Sequence, residues 1–355
     1  MKLLPRMTAA ALTGLASLAT AAEPGLHFPG KEGPGKGKKI VLIAGDEEYR
    51  SEEALPMLAK ILSQRHGFDC TVLFSLDPDN GHIDPNQQKN IPGTEALNDA
   101  DLMLSSTRFR DLPPEQTAPI TAFLNAGKPV IGLRTATHAF AGDMRDGDWG
   151  YTFRDKGGFG LKILGETWVA HHGKHKVEGA RGVVEEANAS HPVLRGVDDV
   201  FAPSDVYTVK NLTGSETVLL RGLVTETMAP DSKPVDGPKN NPPQALAWLR
   251  EYTAPNGTTK GQAFCTTAGA SVDLVSEGLR RLVVNAAFHL TGLEVPEKAD
   301  VSYVDPFYPS FFGFVKDSKV WADRNLKPAD FGLGKAPVAV DPPGSPEWPF
   351  RETGP

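Results

Sequence analysis

The chain has 355 residues, enough for one large α/β domain with additional segments. Hydrophobic residues make up 40% of it and charged residues 23%, which is ordinary for a globular protein and excludes a fibrous or wholly disordered one. The formal net charge of −7 at pH 7 argues against general nucleic-acid binding, which requires a basic surface, so we expect no nucleic-acid partner.

Residues 1–22 have the layout of a secretory signal peptide. Two basic residues, Lys2 and Arg6, precede a weakly apolar Ala/Leu-rich stretch, and small residues supply a cleavage site after Ala21 or Ala22. The alternative is a short N-terminal helix. Because no later segment approaches the ~20 apolar residues that span a bilayer, we expect an exported protein, periplasmic or extracellular, without a membrane span.

The next part of the chain alternates predicted strands and helices. After a Gly/Lys/Pro-rich leader at residues 23–37, the apolar run of residues 39–44 predicts a strand buried on both faces. Ser51 and two glutamates then open a helix that Gly67 ends. Further strands are predicted at residues 70–74, 102–104 and 129–133, and a helix at residues 113–125. This alternation indicates a doubly wound, mostly parallel sheet.

The second half is predicted to add surface insertions and a C-terminal tail. A Gly/Asp-rich stretch at residues 142–160 is the main insertion. Short strands are predicted at residues 166–170, 206–209, 217–220 and 245–248. Apolar residues at helical spacing predict a long helix at residues 274–290. We expect the α/β domain to span residues 38–298, an aromatic-rich tail at residues 299–335 to pack on it, and residues 336–355 to be disordered.

The sequence from Gly127 to Phe140 predicts a strand that ends in a sharp turn. Many α/β enzymes mount a nucleophile on such an elbow. Here the position carries Arg134, which stays protonated and cannot attack a carbonyl. We expect its guanidinium to bind ligand oxygen as an electrophile, with His138 beside it in the catalytic site. The alternative for Arg134 is a structural salt bridge.

Charged side chains follow two further strands at the same edge of the predicted sheet. Glu47, Glu48 and Tyr49 come after the first strand, and Arg108 comes after the third. Carboxylates in such a place suit acid–base chemistry or sugar hydroxyls, and Glu48 is the candidate acid or base. The structural alternative is a solvated turn whose charges favour the following helix or pair with the arginines.

Three histidines, His171, His172 and His175, lie within five residues of one another. They suit a zinc site, but on a strand His171 and His172 point to opposite faces, so at most two of the three converge. A polar loop that contacts a sugar or an anion is the alternative, and we expect no metal and no cofactor. Together with Tyr207, these histidines are expected to line a substrate cleft.

Five short motifs occur along the chain. They are Ile-Ala-Gly near the start, Ala-Gly-Lys-Pro-Val-Ile-Gly-Leu-Arg-Thr-Ala-Thr-His at the elbow, His-Pro-Val-Leu-Arg-Gly, Asp-Val-Tyr, and the late Gly-Gln-Ala-Phe-Cys-Thr-Thr-Ala-Gly. In combination they resemble the ThuA-like (trehalose-utilisation) family over about residues 38–294. The resemblance implies a flavodoxin-like fold of the class I glutamine amidotransferase-like superfamily.

The same resemblance implies that this chain is not a glutamine amidotransferase. The amidotransferase pattern places Arg134 at the nucleophile, Cys265 at the histidine and Thr267 at the acid, so all three catalytic residues are replaced. Many ThuA-like proteins also carry a histidine shortly after the late Thr-Thr-x-Gly, where this chain has Ala270. A mechanism that needs that histidine is therefore not expected here.

For function, the resemblance implies carbohydrate catabolism. We expect an exported protein that binds trehalose, a related disaccharide or a keto-sugar at the strand-end cleft, with hydrolysis and isomerisation as the candidate reactions. The alternatives are a non-catalytic sugar-binding or interaction module and a metal-dependent hydrolase that uses the histidines. A homo-oligomer is compatible with each of these.

Overall fold

A computed structural model describes residues 24–141, 150–155 and 157–347. The predicted signal peptide lies outside the described residues, as do residues 142–149 of the predicted insertion and the last residues of the chain. No helix in the described part of the chain combines the length and hydropathy needed to cross a membrane.

Within these residues, ten strands form one sheet. They are β1 (Gly25–Phe28), β2 (Lys39–Gly45), β3 (Asp69–Phe74), β4 (Leu102–Thr107), β5 (Val130–Leu133), β6 (Ala180–Val184), β7 (Phe201–Ala202), β8 (Thr217–Val224), β9 (Gln244–Thr253) and β10 (Lys260–Thr266). Their order across the sheet is β1-β3-β2-β4-β5-β10-β9-β8-β6-β7.

The sheet has a parallel centre and antiparallel edges. Strands β3, β2, β4, β5 and β10 run parallel. Strand β1 is antiparallel to β3, and β9, β8, β6 and β7 extend the other edge in antiparallel pairs. The predicted α/β class is confirmed, but the sheet is mixed rather than mostly parallel. The extension is antiparallel because no α-helix lies between β6 and β10 to make parallel crossovers.

Helices cover both faces of the sheet. The described α-helices are α1 (Ser51–His66), α2 (Pro114–Asn125), α3 (Glu277–Leu290) and α4 (Ser318–Arg324). Alternate residues of β2 point to opposite faces, so Leu42 packs in the core with α1 and α3 while Ile43 packs with α2. Burial on both faces explains the continuous apolar sequence of β2.

The differences from the predicted elements lie away from the parallel centre. The leader, for which the sequence predicts no strand, contains β1, a short strand that pairs with β3. Residues 166–170 form no strand, and residues 206–209 contribute one bridge, between Tyr207 and His171. These segments lack the backbone pairing that would make them strands, despite their β-prone residues.

The tail crosses the carboxyl end of the sheet. Phe311 and Phe312 are buried, and the Phe312 ring stacks on that of Tyr49 with centroids 5.6 Å apart. The backbone N–H of Gly313 donates to the carbonyl of Glu48 at 2.7 Å. The tail is therefore hydrogen-bonded to the loop that follows β2.

The first turn of α1 buries a carboxyl group without a hydrogen-bond partner. Glu52 is 4% exposed, and neither of its carboxylate oxygens is hydrogen-bonded. Burial raises the pKa of Glu52 to about 8, opposed by Arg50, whose Nη1 lies 3.9 Å from Oε1, and reinforced by Glu53. At neutral pH the folded protein therefore favours the protonated form.

This buried acid makes a prediction for the pH dependence of stability. The folded pKa lies above the ordinary value, so the contribution of Glu52 is complete below about pH 4.5 and is lost as the pH rises to about 8. Glu52→Gln, which mimics the protonated form, is expected to be more stable than the parent by about 5 kcal/mol at pH 9, the free energy that corresponds to the full rise in pKa, and equal to it at pH 4. Urea unfolding across this pH range measures the difference, with Glu186→Gln at an exposed position as the control. A stability difference between Glu52→Gln and the parent that stays the same at every pH would contradict the prediction.

Candidate functional site

The loops that follow β2, β4 and β5 meet at one edge of the sheet and form an open pocket of about 420 Å³, called here the strand-end pocket. It is lined by Glu48, Tyr49, Arg108, Phe109, His138, Trp168, His171, Tyr207 and Phe314. Six of these were candidate site residues in the sequence. Of the remaining candidates, Glu47, Arg134, His172 and His175 do not line the pocket.

Glu48 is a buried carboxylate at the pocket wall. Arg108 Nε lies 3.4 Å from its Oε2, and His175 Nε2 lies 3.5 Å from its Oε1. Burial opposes ionisation, but His175 and the Arg108 charge outweigh it and hold the pKa of Glu48 below its ordinary value. Glu48 is thus ionised near neutral pH and suits the role of base rather than acid.

The neighbouring acids position this loop. Glu47 bridges two guanidinium groups, with Oε1 accepting from Arg108 and Oε2 from Arg110. Asp46, the first residue of the same acidic loop, accepts the backbone N–H groups of Glu48 and Tyr49 at 2.7 and 3.0 Å. Its other oxygen accepts the Thr135 hydroxyl at 2.6 Å and so ties the loop to the elbow. Glu47 therefore pairs with two arginines, which is the structural alternative that the sequence offered for this loop.

Arg134 occupies the elbow with a left-handed backbone, φ 39°, and a side chain without solvent exposure. Its Nη1 donates to the carbonyls of Asp205 and Thr267 at 3.2 and 2.7 Å, and its Nη2 donates to the carbonyl of Ser204. The rings of Tyr49 and Tyr207 lie 4.2 and 4.4 Å from the guanidinium carbon. Both Nη groups are therefore directed at the protein and not at ligand oxygen, because carbonyls from two distant segments converge on the elbow.

His138 is a buried imidazole at the base of the pocket. Burial, with the charges of Arg108 and Arg134, holds the pKa of His138 well below its ordinary value. Its Nδ1 lies 3.1 Å from the Thr137 hydroxyl, and its ring lies 5.7 Å from that of Trp168. The imidazole is therefore neutral near pH 7, and it can donate a hydrogen bond to a ligand or accept one without carrying charge.

The three histidines separate as their alternation predicts. The bridge between His171 and Tyr207 sets His171 in the pocket wall. His172 instead has its Nε2 2.8 Å from the carbonyl of Lys239. His175 lies behind His171, with ring centroids 4.0 Å apart, and both face Asp205.

Four residues at the site were not among the sequence candidates. Phe109 and Phe314 contact the Arg108 guanidinium, at 4.7 and 4.9 Å from its carbon, and Trp168 closes the side near His138. Asp205 is buried behind the histidines. The Asp-Val-Tyr motif was a weak sign of Asp205, whereas nothing in the sequence places the tail residue Phe314 over the first loop.

Among the comparisons with known proteins, those with solved structures give matches. The chain matches no protein-family profile and no curated protein. Among solved structures it is similar to a Parabacteroides merdae protein described as ThuA-like, at 13% identity and a TM-score of 0.48, with 74% of this chain and 92% of that chain covered. It is also similar to an Opitutaceae exo-β-1,4-mannosidase at 8% identity and a TM-score of 0.29, covering 71% of this chain and 36% of that one. The description of the Parabacteroides merdae protein contains the family name that the motifs indicated. At these low similarities, the resemblance to that family rests on the motifs of the sequence.

Proposed function

We propose that the chain belongs to the ThuA-like family and that its strand-end pocket binds a small sugar or sugar derivative. The parallel strands follow the order β3-β2-β4-β5-β10, which corresponds to the 2-1-3-4-5 order of flavodoxin-like sheets. This order supports the class I glutamine amidotransferase-like assignment. Export, which the N-terminal sequence predicts, would place the protein where polysaccharide breakdown products occur.

The observation that carries the proposal is the composition of the pocket wall. Aromatic rings of Trp168, Phe109 and Phe314 stand beside the charged or polar groups of Glu48 and Arg108. Sugars present apolar C–H faces and hydroxyl groups together, and a pocket that joins rings to a few fixed polar groups matches both.

Backbone strain at the same place supports a functional site. Phe109 and Arg134 have positive φ angles of 47° and 39°, which residues with large side chains rarely adopt. Such conformations cost about 1–3 kcal/mol and persist mainly where function requires a fixed side chain. Phe109 lines the pocket, and Arg134 orders the two tyrosines beside it.

Trp168→Ala tests the binding proposal. We expect the parent to bind at least one member of a panel of trehalose, other disaccharides and their 3-keto derivatives at millimolar levels in calorimetry. Loss of the half-buried Trp168 ring is expected to weaken that binding about tenfold, because one ring contact contributes about 1 kcal/mol or more. Tyr308→Ala, an exposed aromatic residue outside the pocket, should leave affinity unchanged. No response across the panel would reject the proposal.

A further inference from the structure

We infer that His171, His175 and Asp205 form a binding site for a divalent transition-metal ion, with Zn²⁺ as the best match. One ligand atom from each residue lies within 4.8 Å of the other two. The set combines two imidazoles with one carboxylate, which is a frequent donor set for zinc. This site adjoins the proposed sugar pocket but does not depend on what that pocket binds.

The distances between the ligand atoms come close to those of tetrahedral coordination. Zinc–nitrogen and zinc–oxygen bonds of about 2.0–2.2 Å at tetrahedral angles place neighbouring ligand atoms about 3.3–3.6 Å apart. In the structure, Asp205 Oδ2 lies 3.0 Å from His171 Nδ1 and 3.5 Å from His175 Nδ1. The second distance lies within this range, and the first is short of it by about 0.3 Å, so the His171 ring would have to move slightly away from Asp205 to admit an ion.

His175 supplies a second, independent observation. Its Nδ1 is buried and makes no well-aligned hydrogen bond; Asp205 Oδ2 lies 3.5 Å from it. Its other ring nitrogen, Nε2, lies 3.5 Å from Glu48 Oε1. Metal-bound histidines commonly donate their second N–H to a carboxylate, which fixes the ring and increases its basicity. Glu48 is placed to do this, and a metal would satisfy Nδ1.

Asp205 is held in the orientation that this site needs. Its side chain has no solvent exposure, and its backbone is left-handed with φ 71°, a conformation that aspartate adopts more readily than most residues. Arg134 Nη2 lies 3.5 Å from Oδ1, and His171 Nδ1 is nearer to Oδ2, at 3.0 Å, than to Oδ1, at 3.3 Å. His171 also lines the open pocket, so a fourth coordination position can face water or a ligand oxygen, as in catalytic zinc sites.

Metal titration of the full-length, chelator-stripped protein tests the inference. We expect one equivalent of Co²⁺ to give the visible absorption of a tetrahedral complex, and Zn²⁺ to displace it. His171→Ala and His175→Ala should each weaken Zn²⁺ binding at least about 100-fold, because loss of a supporting group beyond the ligands already costs about 10–100-fold. Both side chains are about one quarter exposed, so each truncation leaves little buried void.

His172→Ala is the matched control, because that histidine is adjacent in sequence but bonded to Lys239 instead. It should bind Zn²⁺ like the parent. No uptake by the parent, or equal uptake by the parent and both ligand variants, would overturn the inference. Sugar titrations of the metal-free and zinc-loaded forms separate the two proposals. Sugar binding without zinc uptake rejects only the metal site, and zinc uptake without any sugar response rejects only the sugar proposal.

Discussion

Replacing Arg134 with methionine is expected to lower the free energy of unfolding by about 3–5 kcal/mol, as found when one member of a buried ion pair is removed. The change leaves the carbonyls of Ser204 and Thr267 and the carboxylate of Asp205 without their buried donor. Methionine fills a similar volume but offers no hydrogen-bond donor. The loss therefore comes from unpaired polar groups rather than from a cavity.

Urea unfolding of parent and variant measures this loss. Arg195→Met is the control, since Arg195 lies partly exposed, 3.8 and 3.9 Å from the carboxylates of Glu294 and Glu297, and donates one hydrogen bond to the carbonyl of Val295. Exposed pairs of this kind contribute about 1 kcal/mol or less. Arg134→Lys should fall between the two because one ammonium cannot reach all of the carbonyls. A decrease below about 1 kcal/mol in Arg134→Met would show that the guanidinium is not the structural centre of the elbow.

Glu48→Gln is expected to lower turnover of a sugar substrate by about 10²–10⁴-fold while the substrate still binds. The carboxylate is ionised and stands at the pocket wall, and Arg108 beside it can stabilise a negatively charged oxygen. Hydrolysis and isomerisation both need a proton acceptor near the reacting carbon or water. Glutamine keeps the shape of the side chain but cannot accept that proton.

The measurement is product formation from each sugar that binds in calorimetry. Glu186→Gln, on the exposed surface, controls for the loss of one negative charge. If the parent binds sugar but turns none over, and Glu48→Gln binds it equally, the chain is a non-catalytic sugar-binding module. Turnover that survives unchanged in Glu48→Gln would instead assign the proton transfer to another group, with the neutral imidazole of His138 the next candidate in the pocket wall.

Strands β2, β3, β4 and β5 of the parallel centre could be predicted because each contains a local apolar run. Strand β2 carries Leu42 and Ile43 into cores on opposite faces, and this double burial is visible in the sequence itself. Strand β1 could not be predicted in the same way, because its pairing depends on the exposed edge of β3. The short strand β7 likewise depends on its pairing with β6.

The site likewise has a part that the local sequence predicts and a part that depends on distant contacts. The elbow at Arg134 and the loop with Glu48 follow predicted strands, so their meeting could be expected from the topology. The groups that determine the role of each site residue come from distant segments. The carbonyls of Ser204 and Thr267 accept hydrogen bonds from Arg134, and the carboxylate of Asp205 lies beside the histidines. Sequence alone shows which groups are present, but not which of them are already neutralised by such distant partners.

The contact between the tail and the loop after β2 has a consequence for the order of synthesis. Gly313 and Phe314 leave the ribosome after every strand of the sheet, yet Gly313 is hydrogen-bonded to Glu48 and Phe314 lines the pocket. A nascent chain that has reached only β10 holds all of its strands but lacks one wall of the pocket. Such a chain also lacks α3, which packs in the core with Leu42. Binding competence is therefore acquired last, because the pocket wall needs a segment that follows both the sheet and α3.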